Sequence, residues 1–155
     1  MKIISWNIQG LKKKALQEIL FLQRLHKLDI MFILETLVNS ANIERILPKI
    51  GFQQVDYVDP VNHFGGIAVL SNNDHILASI LRKDQRAIHV PVHDTRNNQN
   101  VVVSGIYAPT QFRDKDPFWS QLTQFNLVVD LSWCLIGDFN EIAIPGEKKE
   151  GLPSC

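Results

Sequence analysis

The chain has 155 residues, with 16 basic and 16 acidic side chains and a formal net charge of zero. This length fits one domain, and a content of 45% hydrophobic and 21% charged residues is ordinary for a globular protein. A strongly basic composition, the usual sign of a nucleic-acid-binding protein, is missing, so any such binding has to come from a local patch. Two cysteines, Cys134 and Cys155, are too few for a disulfide framework.

The sequence carries no sign of export or membrane insertion. Its N-terminal apolar stretch is interrupted at Asn7 and Gln9, too early for the core of a signal peptide. No apolar run approaches the length of a membrane-spanning helix. We therefore expect an intracellular protein, in the nucleus or the cytoplasm, that does not associate with a membrane.

Strand and helix patterns alternate in the N-terminal part of the chain. An apolar run at 3–6 predicts a strand, and a helix follows from Lys12 with an apolar stripe of Ala15, Ile19, Leu22 and Leu25. A second apolar run at 30–34 predicts another strand, so this stretch should form a βαβ unit. A shorter helix is expected at 42–48, with Ser40 as its cap.

The middle of the chain has the composition of strands. Segments rich in Val and Ile are separated by turn residues and lie at 53–58, 66–70, 76–81, 86–92 and 101–107. Residues 72–74 and 94–98 are typical of hairpin connections, which predicts antiparallel pairing.

A helix and a last strand follow this region. The helix is expected to start at Asp116-Pro117, with proline in its first position and an apolar face of Phe118, Leu122, Phe125 and Val129. The final strand is predicted at 133–136. There is no convincing linker or repeat, so residues 1–155 are expected to form a single α/β domain.

Three of the apolar runs stop on side chains that can bind a metal ion or a phosphate. The first is followed by Asn7, the second by Glu35, and the last by Asp138 and Asn140. In sheets crossed over by helices, ligands collect beyond the carboxyl ends of the strands, where the loops converge. The sequence therefore predicts an active site built from these residues.

Five motifs in chain order resemble those of the endonuclease/exonuclease/phosphatase superfamily, which has a deoxyribonuclease-like fold. They are SWNIQG at 5–10, ET at 35–36, GGIAVL at 65–70, IYAP at 106–109 and GDFNE at 137–141. The residues of the first and last motifs are most similar to those in the endonuclease domains of plant non-LTR retrotransposons. The resemblance implies a layered β-sandwich of two sheets flanked by helices, and DNA as the partner.

The resemblance also implies a role for each matching residue. Glu35 corresponds to the principal ligand of Mg²⁺, for which Mn²⁺ can substitute, and Asn7 to its companion at the metal or at a phosphate oxygen. Asp138 corresponds to the residue that orients and deprotonates the attacking water. Asn140 would donate to the phosphate oxygens from the same face of an extended segment, and Tyr107 occupies a phosphate-binding position.

Each of these residues also has an ordinary structural interpretation. Asn7 at a strand end can be a turn former, and Glu35 can be a solvated loop carboxylate. Tyr107 can pack its ring with the hydroxyl at the surface, and this alternative weighs equally with a phosphate contact. Asp138 and Asn140 are harder to explain by packing. For the two glycines at 65–66 we expect a backbone role, either a positive φ or a close approach.

The chain departs from the family pattern near its end. Relatives complete the site with a Ser-Asp-His motif on a late strand, and the resemblance here covers about the first two-thirds of a family domain. None of His26, His75, His89 or His93 matches that motif; His26 reads as a partly buried helix residue, and only His63 is a candidate substitute. We therefore expect an incomplete second sheet, an uncovered edge open to self-association or a protein partner, and weak or no turnover.

Three functions compete at this point. The first is a Mg²⁺-dependent phosphodiester hydrolase of DNA endonuclease type, weak or inactive because its site is incomplete. The second is a non-catalytic remnant or binding module that keeps the fold. The third is a phosphatase of the same superfamily that acts on a small phosphoester.

Overall fold

Two β-sheets pack face to face in the computed structural model, which describes residues 1–46, 49–62, 64–72 and 74–141. The first sheet has the strand order β1-β2-β4-β3, formed by Ile3–Asn7, Ile30–Leu34, Ile67–Ser71 and Gln54–Val58. The second has the order β5-β7-β8-β9, formed by Ile76–Ala78, Ala87–Asp94, Gln99–Tyr107 and Trp133–Asp138, with β6 (Arg82–Lys83) also paired to β7. The helices are α1 (Lys13–His26), α2 (Ser40–Ile46) and α3 (Phe112–Val128).

Each sheet contains one pair of parallel strands joined through a helix. Strands β1 and β2 are parallel and connected through α1, which confirms the predicted βαβ unit, and β8 and β9 are parallel and connected through α3. Parallel strands end at the same edge of a sheet. The ends of β1 and β2 are therefore adjacent, as are those of β8 and β9, and hydrogen bonds from Asn7 to Asp138 and from Tyr107 to Glu35 bring the two pairs together at one end of the molecule.

Three apolar clusters account for the layering. Between the sheets, Ile30, Phe32 and Leu34 of β2 pack in one cluster with residues of β7 and β8. The other face of β2 packs Met31 and Ile33 against Ile19 of α1. On the far side, α3 covers the second sheet with Phe118, Leu122 and Phe125. All residues of β2 are buried, as their continuous apolar sequence requires. The predicted sandwich of two sheets flanked by helices is confirmed.

One predicted hairpin is present and the other is wrong. Residues 94–98 connect β7 and β8, which are antiparallel with Asp94 opposite Gln99. The strands on either side of 72–74, β4 and β5, do not pair with each other, because β4 pairs with β2 and β3, and β5 pairs with β7 in the other sheet. The chain instead leaves the first sheet here and enters the second at β5. The strand expected at 76–81 is shorter, because β5 ends at Ala78, and β6 follows the predicted range as a separate strand; both pair with β7.

The helix α3 begins earlier than predicted. It starts at Phe112, so Pro117 lies inside it and Val129 caps its C-terminus. Proline inside a helix removes one backbone hydrogen bond. The first turn of α3 is anchored by contacts outside the helix. The Lys115 ammonium group donates to the Asn140 carbonyl oxygen at 3.1 Å and pairs with the Glu141 carboxylate at 2.8 Å.

The ends of the other two helices also differ from prediction. The last turn of α1 leaves the sheet, so Leu25 is 59% exposed and His26 is exposed rather than partly buried. The start of α2 is Ser40, and the preceding Asn39 side chain, not Ser40, accepts a hydrogen bond from the Asn42 N–H. The predicted end of α2 at 47–48 lies outside the described residues.

An ion-pair cluster fastens the two sheets at the end where β2 begins. Arg96, in the β7–β8 turn, donates to Asp94 at 2.7 Å and to Asp29 at 2.9 Å, immediately before β2. Asp94 is buried, and its hydrogen bonds from Arg96 hold its pKa well below the usual range. The cluster therefore joins residues from both layers.

Within the described residues, β1 and β9 each pair with one neighbour, and their side chains are partly exposed. Self-association or a protein partner at this edge stays a prediction. In the same residues, no helix combines the length and the apolar character needed to cross a membrane.

His89 lies in the core between β7 and α3. Its ring stacks on Phe125 with centroids 3.9 Å apart, and its Nδ1 is hydrogen-bonded to the Ser104 hydroxyl at 2.6 Å. Burial lowers the pKa of His89, the Asp84 carboxylate acts in the opposite direction, and the Arg82 guanidinium lowers the pKa further. His89 is therefore a core residue of strand β7, and its Nδ1 is occupied by Ser104.

The burial of His89 predicts an acid-sensitive stability. The unfolded chain binds a proton at His89 below its ordinary pKa of 6.5, whereas the folded chain resists protonation. The free energy of unfolding should therefore fall as pH decreases from 6.5 towards the folded pKa, by up to about 1.4 kcal/mol per pH unit. Urea unfolding at several pH values checks this. His89→Phe should flatten the acid slope, and His75→Gln, at an exposed histidine, should leave it unchanged; equal slopes in all three would contradict the prediction.

Candidate active site

Four polar side chains lie where β1, β2, β8 and β9 end. Asn7 is the last residue of β1, Glu35 follows β2, Tyr107 ends β8 and Asp138 ends β9. All four are partly buried. Within the sheets, Asn7 is paired with Leu34 and Tyr107 with Asp138. We refer to Asn7, Glu35, Tyr107 and Asp138 as the polar rim.

Two hydrogen bonds between the sheets close the polar rim. The Asn7 amide Nδ2 donates to Asp138 Oδ2 at 3.0 Å. The Tyr107 hydroxyl donates to Glu35 Oε1. Together with the pairing of β1 with β2 and of β8 with β9, these two hydrogen bonds connect the four residues in a ring. Side chains that are far apart in the sequence thus lie close together, and both carboxylates are at the same end of the molecule.

The electrostatic surroundings keep Tyr107 protonated. Burial, followed by its hydrogen bond to Glu35, raises the pKa of Tyr107 to about 12, although the nearby Arg86 guanidinium acts in the opposite direction. The hydroxyl is therefore a neutral donor at physiological pH. Because a phenol has one O–H, it can donate to a phosphate only by leaving Glu35.

Asp138 is oriented by three contacts. The first is the hydrogen bond from the Asn7 amide. The second is donated by the Asn140 N–H to Asp138 Oδ1 at 3.0 Å, and the third by the Ala108 N–H to the Asp138 backbone carbonyl oxygen at 2.8 Å. A carboxylate held on both oxygens has a fixed direction, as a general base requires.

Asn140 does not continue the strand as expected. The strand ends at Asp138, and Asn140 has a φ of +47°, in the left-handed region. Its amide Nδ2 donates to the Ala108 carbonyl oxygen at 2.7 Å. An amide carries two N–H donors, so this contact uses one and leaves capacity for a phosphate oxygen.

Positive φ angles shape the loops around Glu35. Glu35 has a φ of +53°, and the glycines at positions 65 and 66 have φ angles of +78° and +88°. The backbone role expected for these glycines agrees with this geometry. The neighbouring Thr36 N–H donates to the Gly66 carbonyl oxygen at 3.2 Å, so the two loops are in direct contact.

Arg86 and Lys115 are near the polar rim, and sequence reasoning missed both. The Arg86 guanidinium lies 5.6 Å from the centre of the Tyr107 ring, and the Arg86 backbone carbonyl oxygen accepts a hydrogen bond from the Tyr107 N–H at 2.8 Å. Lys115 reaches the Asn140 carbonyl oxygen from α3. Neither cation belongs to a motif, so only the pairing of the strands and helix could have revealed them.

The histidines do not join the rim in the part of the chain that the structure describes. His89 and His93 are hydrogen-bonded to Ser104 and Asn100, and His26 and His75 are exposed. His63, the candidate substitute for the family's histidine, lies outside the described residues.

The oxygen donors of the rim fit a hard divalent cation. Glu35 supplies a carboxylate, and the Asn7 amide oxygen, which accepts from the Gln9 N–H at 3.2 Å, has a second lone pair. Among the described residues, no group of three or more His, Cys, Asp or Glu side chains could form a protein cage for a metal. Mg²⁺ usually keeps several waters and takes only one or two carboxylates, so this donor set fits it.

An open cleft of about 300 Å³ is lined by Val61, Phe64, Gly65, Gln85 and Arg86. Phe64 is 78% exposed there. Arg86 connects the cleft to the polar rim through its contact with the Tyr107 ring. The cleft therefore places an aromatic ring and a cation beside the candidate site.

Comparison with solved structures shows the same fold in several proteins. An AP endonuclease from Archaeoglobus fulgidus is 20% identical with a TM-score of 0.67, and the alignment covers 94% of this chain and 59% of that one. The endonuclease domain of TRAS1, a telomere-specific non-LTR retrotransposon, is 14% identical with a TM-score of 0.67, covering 91% of this chain and 61% of that domain.

A third similar structure is a phosphatase. The mannosyl-6-phosphatase Bt3783 of Bacteroides thetaiotaomicron is 13% identical with a TM-score of 0.64, covering 89% of this chain and 64% of that enzyme. The chain thus spans less than two thirds of each of these three solved chains. A comparison with curated protein sequences gives no significant match.

The sequence itself matches a protein family over almost its whole length. Residues 4–153 match the endonuclease/exonuclease/phosphatase family. This match confirms the resemblance to the family that the five motifs indicated. The plant origin suggested by the residues of the first and last motifs stays a prediction. The chain belongs to the endonuclease/exonuclease/phosphatase family.

Proposed function

We propose that the chain is a Mg²⁺-dependent phosphodiester hydrolase of DNA endonuclease type, in which Mn²⁺ can replace Mg²⁺. The observation that carries this proposal is the polar rim, where two carboxylates from different sheets are fixed by the Asn7–Asp138 and Tyr107–Glu35 hydrogen bonds. Two oriented carboxylates at the same end of the two sheets suit metal-assisted hydrolysis of a phosphoester.

Each rim residue has a proposed task. Glu35, with Asn7, holds the metal ion, which when bound would polarise the phosphate and neutralise the charge that develops on it. Asp138 accepts the proton of the attacking water, because both of its oxygens are already directed by hydrogen bonds. Tyr107 orients Glu35 and would donate to a phosphate oxygen only after leaving this carboxylate, whereas Asn7 and Asn140 each keep a second amide N–H for phosphate oxygens.

DNA is the proposed substrate because of the cleft beside Tyr107. An exposed aromatic ring can stack on a nucleobase, and a guanidinium can contact the phosphate next to it. Phe64 and Arg86 supply both groups within the same cleft. Two of the similar solved structures are nucleases by description, an AP endonuclease and a retrotransposon endonuclease domain.

We further propose that residues 1–155 turn over slowly on their own. In the hydrogen bonds of the described residues, no histidine, lysine or arginine side chain donates to the polar rim. Removing a single donor to a developing negative charge costs about 10²–10³ in rate in other enzymes.

A plasmid-nicking assay tests the proposal. Supercoiled DNA should be relaxed in the presence of Mg²⁺ or Mn²⁺ and not with a chelator, and Glu35→Ala should lower the rate about 10–100-fold because it removes the proposed metal ligand. Glu18→Ala, at a carboxylate on α1 that pairs with Lys14, is the matched control and should be unchanged. Metal-independent nicking, or equal rates for Glu35→Ala and the control, would refute the assignment.

The same protein separates the competing functions. Hydrolysis of p-nitrophenyl phosphate without plasmid nicking would favour a phosphatase, a possibility supported by the similar fold of the mannosyl-6-phosphatase. Binding of duplex DNA with a steep salt dependence and no cleavage would favour a binding module.

A further inference from the structure

The backbone that carries Glu35 adopts an unusual conformation. Glu35 and Leu37 have φ angles of +53° and +55°, on either side of Thr36. Residues other than glycine seldom adopt such angles unless the surrounding structure imposes them. The direction of the Glu35 side chain therefore depends on what holds this segment.

Four backbone hydrogen bonds hold the segment between two loops. On one side, the Gly10 and Leu11 N–H groups donate to the carbonyl oxygens of Glu35 and Thr36, both at 2.8 Å. On the other, the Thr36 and Leu37 N–H groups donate to the loop formed by the glycines at 66 and 65, both at 3.2 Å. The segment is thus tied at both faces.

The Thr36 side chain fills the space that Gly66 leaves open. Thr36 is fully buried, and within the described residues its hydroxyl has no hydrogen-bond partner. A Cβ atom at position 66 would clash with Thr36 Oγ1, whereas a Cβ at position 65 would have no atom within 4 Å. Both glycines have positive φ, so they differ in contact and not in backbone strain.

We infer that Thr36 and Gly66 are positioning residues for Glu35. The absence of a side chain at position 66 allows Thr36 to pack against the loop, and this packing fixes Glu35 in the left-handed conformation from which its carboxylate meets Tyr107. The inference rests on the proposed function of Glu35 as the metal ligand. It assigns a positioning task to a buried threonine that makes no contact with substrate.

Mn²⁺ binding measures this effect without any need for turnover. The free Mn²⁺ in a titration gives an electron paramagnetic resonance signal, so its affinity for the folded protein can be obtained directly. Gly66→Ala should weaken Mn²⁺ binding about 10–100-fold, as loss of residues that orient metal ligands does. The matched control is Gly65→Ala, which meets the same backbone strain in open space and should weaken binding much less.

Two further variants show whether Thr36 mediates the effect. Removing the clashing atom in a Thr36→Ala, Gly66→Ala double variant should recover most of the lost affinity. Thr36→Val keeps the packing shape and removes only the unpaired hydroxyl, so it should bind Mn²⁺ as the wild type does. It also tests the inference if Gly66→Ala does not fold, since a loss of affinity in folded Thr36→Val would overturn the packing argument.

The outcomes distinguish this inference from the proposed function. If Glu35→Ala weakens Mn²⁺ binding but folded Gly66→Ala and Gly65→Ala bind equally, the positioning role is overturned and the metal role stands. If Glu35→Ala binds Mn²⁺ as tightly as the wild type, both are overturned. Failure of the double variant to recover affinity would show that Thr36 is not the mediator.

Discussion

Asp138→Asn is expected to lower the Mg²⁺-dependent nicking rate about 10²–10⁴-fold, the usual contribution of a general base. The change replaces one carboxylate oxygen by an amide nitrogen and keeps the shape of the side chain. Its remaining oxygen can still accept a hydrogen bond from Asn7 or from the Asn140 N–H. The loss should therefore be chemical, because an amide cannot take the proton of the attacking water.

The measurement for Asp138→Asn is relaxation of supercoiled plasmid at protein excess, where one nick per molecule is enough for detection. Mn²⁺ affinity, measured in parallel, should change far less than in Glu35→Ala, since the proposed ligand is intact. Glu141→Gln is the control, because Glu141 is exposed and pairs with Lys115. A rate for Asp138→Asn equal to that of this control would remove Asp138 from the mechanism.

Gly137→Ala is expected to cause a large loss of stability. Gly137 lies in β9 immediately before Asp138 and has a φ of +152°. A Cβ atom there would overlap the backbone carbonyl of Ile106 in the neighbouring strand, which cannot rotate away as a flexible side chain can. Strain and overpacking each cost about 1–3 kcal/mol, and a domain has about 5–15 kcal/mol in all.

Urea unfolding gives the stability of the Gly137 variant directly. We expect a fall of about 3 kcal/mol or more in the free energy of unfolding, with weaker metal-dependent nicking because Asp138 is displaced. Gly51→Ala is a suitable comparison, since Gly51 has a φ of +75° but nothing within 4 Å of an added Cβ. Equal losses in the two variants would show that backbone strain, not the Ile106 contact, controls the effect.

The sequence predicts the strands of the site well because three of them are short apolar runs, of which β2 is completely buried. The continuous apolar run of β2 and the parallel βαβ unit around α1 leave few alternatives for the position of Glu35. The convergence of Asn7, Glu35 and Asp138 follows from the shared direction of these strands. The polar residue at the end of each run therefore indicated where these side chains lie, and their roles in catalysis stay a prediction.

Other features depend on contacts between distant segments. The turn composition at 72–74 is the same for a hairpin and for a crossing between sheets, and only the occupied edges of β4 decide between them. The early start of α3 reflects the anchoring of Lys115 by Asn140 and Glu141. The contact of Arg86 with the Tyr107 ring has no local sequence signal either.

The polar rim takes half of its residues from each sheet: Asn7 and Glu35 from the first, Tyr107 and Asp138 from the second. Neither sheet alone contains both the proposed metal ligand and the proposed base. A partly folded chain with one sheet formed would therefore lack the proposed hydrolytic centre, which is complete only after the two halves of the polypeptide have docked.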